Sequence, residues 1–321
     1  MKKRFLVAAM AATLVSPIAA YANATIYGNA HLSLDSVDDD DSTTKEYTSM
    51  NNRTSAIGVK GKEDLGGGMT ALYKLEFGID PDRTSRTITT RDQWVGLKGA
   101  MGTVKFGTMS SNYKQMGGKV DPMYRTALEG RAWGGQTNLH SSSGIDRGRS
   151  TDTVQYSSPK MSGVQAVFNT TFEGVKDETM GLGIRYTAKN IMAFFDYIDM
   201  NGVGAGGGAT GTESAIKIGG SYKMDAIKLG FQHELAEDLK GEDVTFVSAQ
   251  LAVNDNDSVA VSFASAAAQS ATVGDDGTGF AIMYNHKMSK RTNVYAGYLS
   301  EDMEDNDMTD TDLTFGIRHK F

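Results

Sequence analysis

An all-β fold is what this sequence predicts, in the form of a closed antiparallel transmembrane β-barrel of 16 strands. Three observations predict it. Side chains alternate with a period of two, short and long connections alternate along the chain, and beyond Ala22 no stretch of about 18 apolar residues is available to cross as a helix. Composition agrees, because 37 Gly, only 4 Pro and an even spread of aromatic residues belong to many short strands joined by turns.

The N-terminal segment reads as an address label. Lys2, Lys3 and Arg4 precede an apolar run from Phe5 to Val15, and Ala20-Tyr21-Ala22 has the small-x-small pattern of a cleavage site. The run is interrupted by Ser16 and Pro17 and is too short to span a bilayer. Residues 1–22 are therefore expected to be a cleaved export signal and residues 23–321 a single barrel domain. The formal charge of the whole chain is −7, and removal of the leader takes away three basic residues, so nucleic acid is not an expected partner. With 0 Cys there is neither a disulfide framework nor a thiolate metal site, and the five His show no metal-ligand spacing; neither cofactor nor metal is expected.

The strands follow. In the closing segment Leu313, Phe315, Ile317, His319 and Phe321 fall on one face, and Thr314, Gly316, Arg318 and Lys320 on the other. Residues 70 to 77 repeat the pattern, with Ala71, Tyr73, Leu75 and Phe77 against Thr70, Leu72, Lys74 and Glu76. Periodicity alone does not separate a membrane barrel from a soluble sandwich. The connections add to it, since such barrels have short turns on the periplasmic side and longer loops outside. Tight turns are expected at Gly66 to Gly68, Gly99 to Gly102, Pro159 to Gly163, Lys189 to Asn190, Lys223 to Asp225, Asn254 to Asp257 and Lys287 to Lys290. Longer segments interleave at Asp38 to Asn52, Asp80 to Thr87, Met109 to Ser150, Glu173 to Asp177, Asn201 to Thr212, Ala236 to Glu242, Gln269 to Gly277 and Glu301 to Asp310. Seven of one kind and eight of the other imply 16 strands with both ends on the periplasmic side, and a barrel of that size encloses an aqueous lumen.

Several motifs resemble the Gram-negative trimeric porin family. They are Gly58-Val59-Lys60-Gly61 followed by Glu63-Asp64-Leu65-Gly66, Trp94-Val95-Gly96-Leu97-Lys98-Gly99 with Gly102-Thr103-Val104, Tyr156 with Ser158-Pro159, Ser289-Lys290-Arg291-Thr292 with Tyr295, and the final Phe321. The resemblance extends over the mature length. It implies an outer-membrane general diffusion channel of a Gram-negative bacterium, a homotrimer, and a long third external loop folded into the lumen. The run from Met109 to Ser150 is the longest connection. It also implies that Phe321 is the signal read by the barrel assembly machinery.

Selectivity in such a pore comes from its diameter and from opposed charges at its narrowest point. Lys74 and Glu76 have inward parity on the third strand, and Arg91 is expected to share inward parity with Gln93 on the fourth. By resemblance Arg91 and Arg149 match wall arginines of the family, which makes Lys74, Arg91 and Arg149 the basic side of the constriction. Glu76, Asp121 and Glu129 are expected to form the acidic side, Asp121 because Lys119-Val120-Asp121-Pro122 is similar to a family segment there. Lys60 is inward but close to its turn, so it is assigned to the periplasmic vestibule. Ala56 and Thr108 depart from the family by standing where arginines are usual. The long connection holds Lys114, Lys119, Arg125, Arg131, Arg147 and Arg149 against Asp121, Glu129 and Asp146, an excess of base. Weak anion preference or none is expected, and a substrate-preferring channel for anions or sugars on the same barrel is the alternative.

Acidic runs at Asp38 to Asp41 and at Glu301, Asp302, Glu304, Asp305, Asp307 and Asp310 read as solvated loops, or as sites where divalent cations bridge to lipopolysaccharide. A His-x-Ser pair, His31 and Ser33, has the spacing of a barrel lipase, but Ala30, Leu32 and Leu34 claim the lipid side, so an enzyme is not expected.

Overall fold

In a computed structural model of the 321-residue chain, the structure describes residues 24–38, 46–83, 88–137, 149–172, 179–199, 214–236, 242–268, 277–303 and 308–321. The expected leader lies outside the described residues, as do Asp39 to Asp41, Asp146, Arg147, Glu304, Asp305 and Asp307. The strands are β1 (Thr25–Asp38), β2 (Glu46–Asn52), β3 (Ala56–Gly66), β4 (Met69–Gly78), β5 (Thr89–Gly99) and β6 (Gly102–Met109). A helix, α1 (Asn112–Val120), follows. Then come β7 (Ser150–Ser157), β8 (Val164–Thr171), β9 (Met180–Thr187), β10 (Ile191–Asp199), β11 (Ser214–Met224) and β12 (Ile227–Leu235). The chain closes with β13 (Glu242–Ala252), β14 (Asp257–Ala268), β15 (Gly277–Lys287), β16 (Thr292–Met303) and β17 (Met308–Lys320).

Consecutive strands pair antiparallel except β2 with β3, and β1 pairs with β17, so the sheet has no edge. At the seam Gly28 and Phe321 exchange both backbone hydrogen bonds at 3.0 Å. In hydrocarbon an unpaired peptide group costs several kcal/mol, and closure removes that cost for every strand at once. Seventeen strand segments make 16 crossings because β2 and β3 both pair with β1 and form one crossing, interrupted at Arg53 to Ser55. The Arg53 guanidinium leaves the ladder to meet Ser33 and Asp35, and the Ser55 hydroxyl accepts the His31 N–H at 2.9 Å.

Two expected loops are shorter than the sequence indicates. Glu46–Asn52 is strand paired with Leu32 to Asp38, and Glu301 to Met303 pair with Met308 to Asp310. Such hairpin ends lie beyond the apolar belt, where both faces are wet and no alternation marks them as strand. The seven tight turns lie where the sequence places them, although Lys223 and Met224 still pair within β11.

The distribution of polarity separates barrel from sandwich. Leu75, Val95, Phe106, Phe168, Leu182, Ile218, Phe231, Phe263, Phe280 and Phe315 are all exposed, whereas Asp35, Asn169, Asp196, Lys217, Gln232 and Glu234 are buried. A soluble sandwich would reverse this, because its apolar side chains leave water. Tyr156, Tyr186, Tyr222, Tyr284 and Phe321 are exposed near the tight turns and form the aromatic girdle of the membrane boundary.

The described part of the long connection, residues 110–137, packs against inward-facing side chains of the later strands. Its helix starts where the Ser111 hydroxyl accepts the Lys114 N–H at 3.2 Å. Tyr113, Met116 and Val120 recur at helical spacing on the buried face. Tyr113 meets Ile198, Ala215 and Ala236; Met116 and Val120 meet Phe194, Phe246 and Ala264; Met123 and Leu128 meet Ala260, Ala281, Tyr295 and Leu299. Each large apolar side chain buried there contributes about 1.5–3 kcal/mol.

Where β5 and β6 pair, Gly107 has φ +131°, and a Cβ there would collide with the Gln93 carbonyl and the Trp94 Cα. Gly107→Ala is therefore expected to cost about 1–3 kcal/mol. A lower urea midpoint, read from the electrophoretic mobility of unheated folded barrel, checks it.

Candidate functional site in the lumen

The site begins with an irregularity in a strand. Between β4 and β5, Leu75 pairs with Gln93 and Phe77 with Thr90, so Arg91 and Asp92 together oppose the single residue Glu76. This is a β-bulge, which inserts one residue and re-aims side chains. Below it, Asp92 and Trp94 have inward parity; above it, Arg91 turns inward as well. Gln93 stands instead on the parity of exposed Val95 and Leu97, which corrects its pairing with Arg91 on the inner face.

The bulge gathers five charges on one wall. Arg91 Nε donates to Glu76 Oε1 at 2.7 Å, Lys74 Nζ to Asp92 Oδ2 at 2.8 Å, and Arg149 Nε to Asp92 Oδ1 at 2.5 Å. Lys74 lies 3.1 Å from Glu76 and Arg149 3.9 Å from it, while the Tyr27 hydroxyl donates to Glu76 at 2.8 Å. Lys74, Arg91 and Arg149 thus stand together. Glu76 stands among them and not opposite, because the bulge sets it between two cations. Three cations against two carboxylates leave the wall positive.

The facing segment carries Lys114, Arg125, Arg131 and Glu129. Glu129 accepts the Arg125 N–H at 2.6 Å and lies 3.4 Å from the Arg131 guanidinium. Burial pushes the Lys114 ammonium down to about 7, and Arg131 and Arg149 act in the same direction. Asp121 is placed differently from its expected role on the acidic side. It is 4% exposed, and its two oxygens accept the N–H groups of Met123 and Gly130 at 2.8 and 2.9 Å. Burial pushes its carboxyl up to about 7 against the pull of those two donors. Its carboxylate pins a turn instead of facing open water.

Sequence reasoning misses the fastening of the helix. Lys217 Nζ sits 4.1 Å from the centroid of the Tyr113 ring, donates to the Tyr113 carbonyl at 3.2 Å and lies 3.5 Å from Glu234. Glu234 accepts the Tyr113 hydroxyl at 2.9 Å, the Thr137 N–H at 2.9 Å and a bond from the Thr137 hydroxyl. Arg185 donates to the Asn112 carbonyl at 3.2 Å, and Asn112 donates to Asp196 at 2.9 Å. Inward parity on β9 to β12 is the available signal, but nothing local pairs those residues with a segment about 100 positions away.

Lys60 is exposed on the inner face of β3, with its ammonium 4.9 Å from the Tyr27 ring centroid. Phe321 is 49% exposed at the seam, its ring lying over Gly28. His31 and Ser33 point inward and are committed elsewhere, His31 to Tyr295 at 3.0 Å and Thr54 at 3.1 Å, Ser33 to Asp35 at 3.0 Å. Among the described residues no group of His, Cys, Asp and Glu is arranged to hold a metal ion.

A model of the family described as "Gram-negative porin" matches residues 7–306. The major outer membrane protein P.IB of Neisseria lactamica is 26% identical over 347 residues, covering 100% of both chains. The P.IB protein of Neisseria gonorrhoeae is 31% identical over 169 residues, an alignment that spans 51% of this chain and 46% of that protein. Among solved structures, the anion-selective porin from Comamonas acidovorans superposes with a TM-score of 0.79 at 20% identity, covering 94% of this chain and 100% of that one. Salmonella typhi OmpF, in complex with daunomycin, superposes with a TM-score of 0.76 at 16% identity, covering 94% of this chain and 98% of that one.

Removing one partner of the buried Lys217–Glu234 pair leaves a charge without compensation, at a cost of about 3–5 kcal/mol. Glu234→Ala is expected to loosen residues 110–137, so that trypsin cuts the folded barrel after Lys114 and Lys119 while the parent resists; equal resistance of both proteins would contradict this fastening.

Proposed function

The chain belongs to the Gram-negative porin family and is an outer-membrane β-barrel, and from that premise we propose that its lumen is a water-filled channel for passive diffusion of small hydrophilic solutes and ions, with a preference for anions. The observation that carries the proposal is the charge cluster at the β4–β5 bulge, where Lys74, Arg91 and Arg149 outnumber Glu76 and Asp92. In this reading residues 110–137 are the inward-folded third loop. Their apolar side chains hold them to the β10–β16 wall, and the path left open runs between Lys114, Arg125 and Arg131 on the loop and the basic cluster on the barrel. Glu129 is the acidic member of the loop side, and Asp121 serves the loop's shape. Positive charges beside a narrow path with low-dielectric walls raise the local concentration of anions.

The net charge of −7 does not oppose this reading. Rim carboxylates farther than a Debye length of about 8 Å from the path are screened at physiological salt. Asp302, on the exposed rim, accepts a hydrogen bond from Thr309 at 2.9 Å and belongs to the acidic runs that we assign to divalent cations bridging lipopolysaccharide. Lys60 belongs to the periplasmic vestibule, residues 1–22 to a cleaved leader, and the assembled form is a homotrimer. Phe321 is assigned as the signal for the barrel assembly machinery, since its ring and its backbone both complete the seam.

Under a gradient of potassium chloride across a planar bilayer, the reversal potential is expected to have the sign of chloride selectivity. Arg91→Gln combined with Arg149→Gln should move it toward potassium, and a parent already selective for potassium would refute the anion preference. Deletion of Phe321 is expected to reduce assembled barrel in the outer membrane several-fold, read as heat-modifiable protein in membrane fractions.

A further inference from the structure

A second feature of the inner wall is apolar, which a water-filled lumen does not require. Register aligns Thr25, Lys60, Lys74 and Trp94 in one inward row across β1, β3, β4 and β5, and Lys62 with Leu72 in the next row toward the turns. These residues line a cavity of about 370 Å³ on the turn side of the charge cluster. Its lining places Lys60, Lys62 and Lys74 around Leu72, with Trp94 beside them, and contains no Asp, Glu, Asn or Gln. Lys105 adds a further cation, its ammonium 4.6 Å from the centroid of the Trp94 ring. Lys74 is paired with Glu76 and Asp92, whereas Lys60, Lys62 and Lys105 have no carboxylate within salt-bridge distance among the described residues.

The chemistry of such a pocket is selective. A sugar site needs amide or carboxylate acceptors for its hydroxyls, and none lines the cavity. An inorganic anion would use the lysines but gains nothing from Leu72 and Trp94. A flat apolar solute without charge would use the ring and leave the ammonium groups unanswered. We infer that this cavity is a binding subsite for small aromatic carboxylates, with the ring of the solute against Trp94 and Leu72 and its carboxylate among Lys60, Lys62 and Lys74. Lys74 also belongs to the charge cluster, so a solute held here is placed at the mouth of the narrow path. Aromatic contact and lysine attraction are each modest in a wet site, which suits a subsite that must release its solute. The inference rests on reading the lumen as the permeation path and names a solute class for it.

Trp94 is itself a reporter. In detergent-solubilised native assembly excited at the red edge of tryptophan absorption, benzoate is expected to quench emission along a saturating curve, while acetate and benzyl alcohol at the same concentrations do not. Trp94→Phe, checked for folding by unheated gel mobility, should abolish the saturating component, leaving Trp133 as the remaining tryptophan. Lys62→Gln should weaken the apparent affinity about threefold. Quenching by benzyl alcohol or acetate equal to that by benzoate, or a benzoate curve unchanged in Trp94→Phe, would overturn the assignment. Single-channel recording separates the two readings: absence of any conductance refutes the channel, whereas the fluorescence titration judges the pocket whether or not ions pass.

Discussion

A peptide group has no partner in hydrocarbon, and this constraint shapes the whole chain. It forces each strand to pair on both sides, which forces the first strand to find the last, and the exchange of hydrogen bonds between Gly28 and Phe321 is where that demand is met. Once the sheet is closed it has an inside and an outside, and alternate residues face different media. The exposed Leu, Ile, Val and Phe side chains and the buried Asp196, Lys217 and Glu234 follow from that division.

Regular pairing would distribute charges evenly up the wall. The bulge opposite Glu76 concentrates them, because it lets Arg91 and Asp92 face inward from adjacent positions on one strand. Two carboxylates then hold three cations at distances of 2.5 to 3.9 Å. The arrangement fixes long flexible side chains that would otherwise sweep across the lumen, and it leaves an excess of positive charge fixed in place.

Most of the fold was legible in the sequence because alternation and turn residues are local signals. The final strand shows this well: Leu313, Phe315 and Ile317 are exposed and Thr314 is buried, as their positions imply. The ends of the hairpins at Glu46–Asn52 and Glu301 to Met303 were not legible, since strands in water carry no alternation. Lys74, Arg91 and Arg149 could be found from parity and resemblance, but the position of Glu76 among them depends on one inserted residue that leaves no mark in composition. Asp121 looked like a pore charge because its neighbours resemble a familiar segment; its burial follows from Met123 and Gly130, which donate to it only after the turn has formed. The fastening of Tyr113 by Lys217 and Glu234 joins residues 104 and 121 positions apart and lies beyond any local pattern.

That last separation has a consequence for the order of events in biogenesis. The bonds that seat the helix, to Asn169, Arg185, Asp196, Lys217, Glu234 and Ser248, come from strands that follow it in the chain. A sheet of β1 to β6 alone offers residues 110–137 none of these partners, and contacts of such high sequence separation are slow to form. The segment therefore takes its seat late, once the strands from β8 to β13 that hold it have paired.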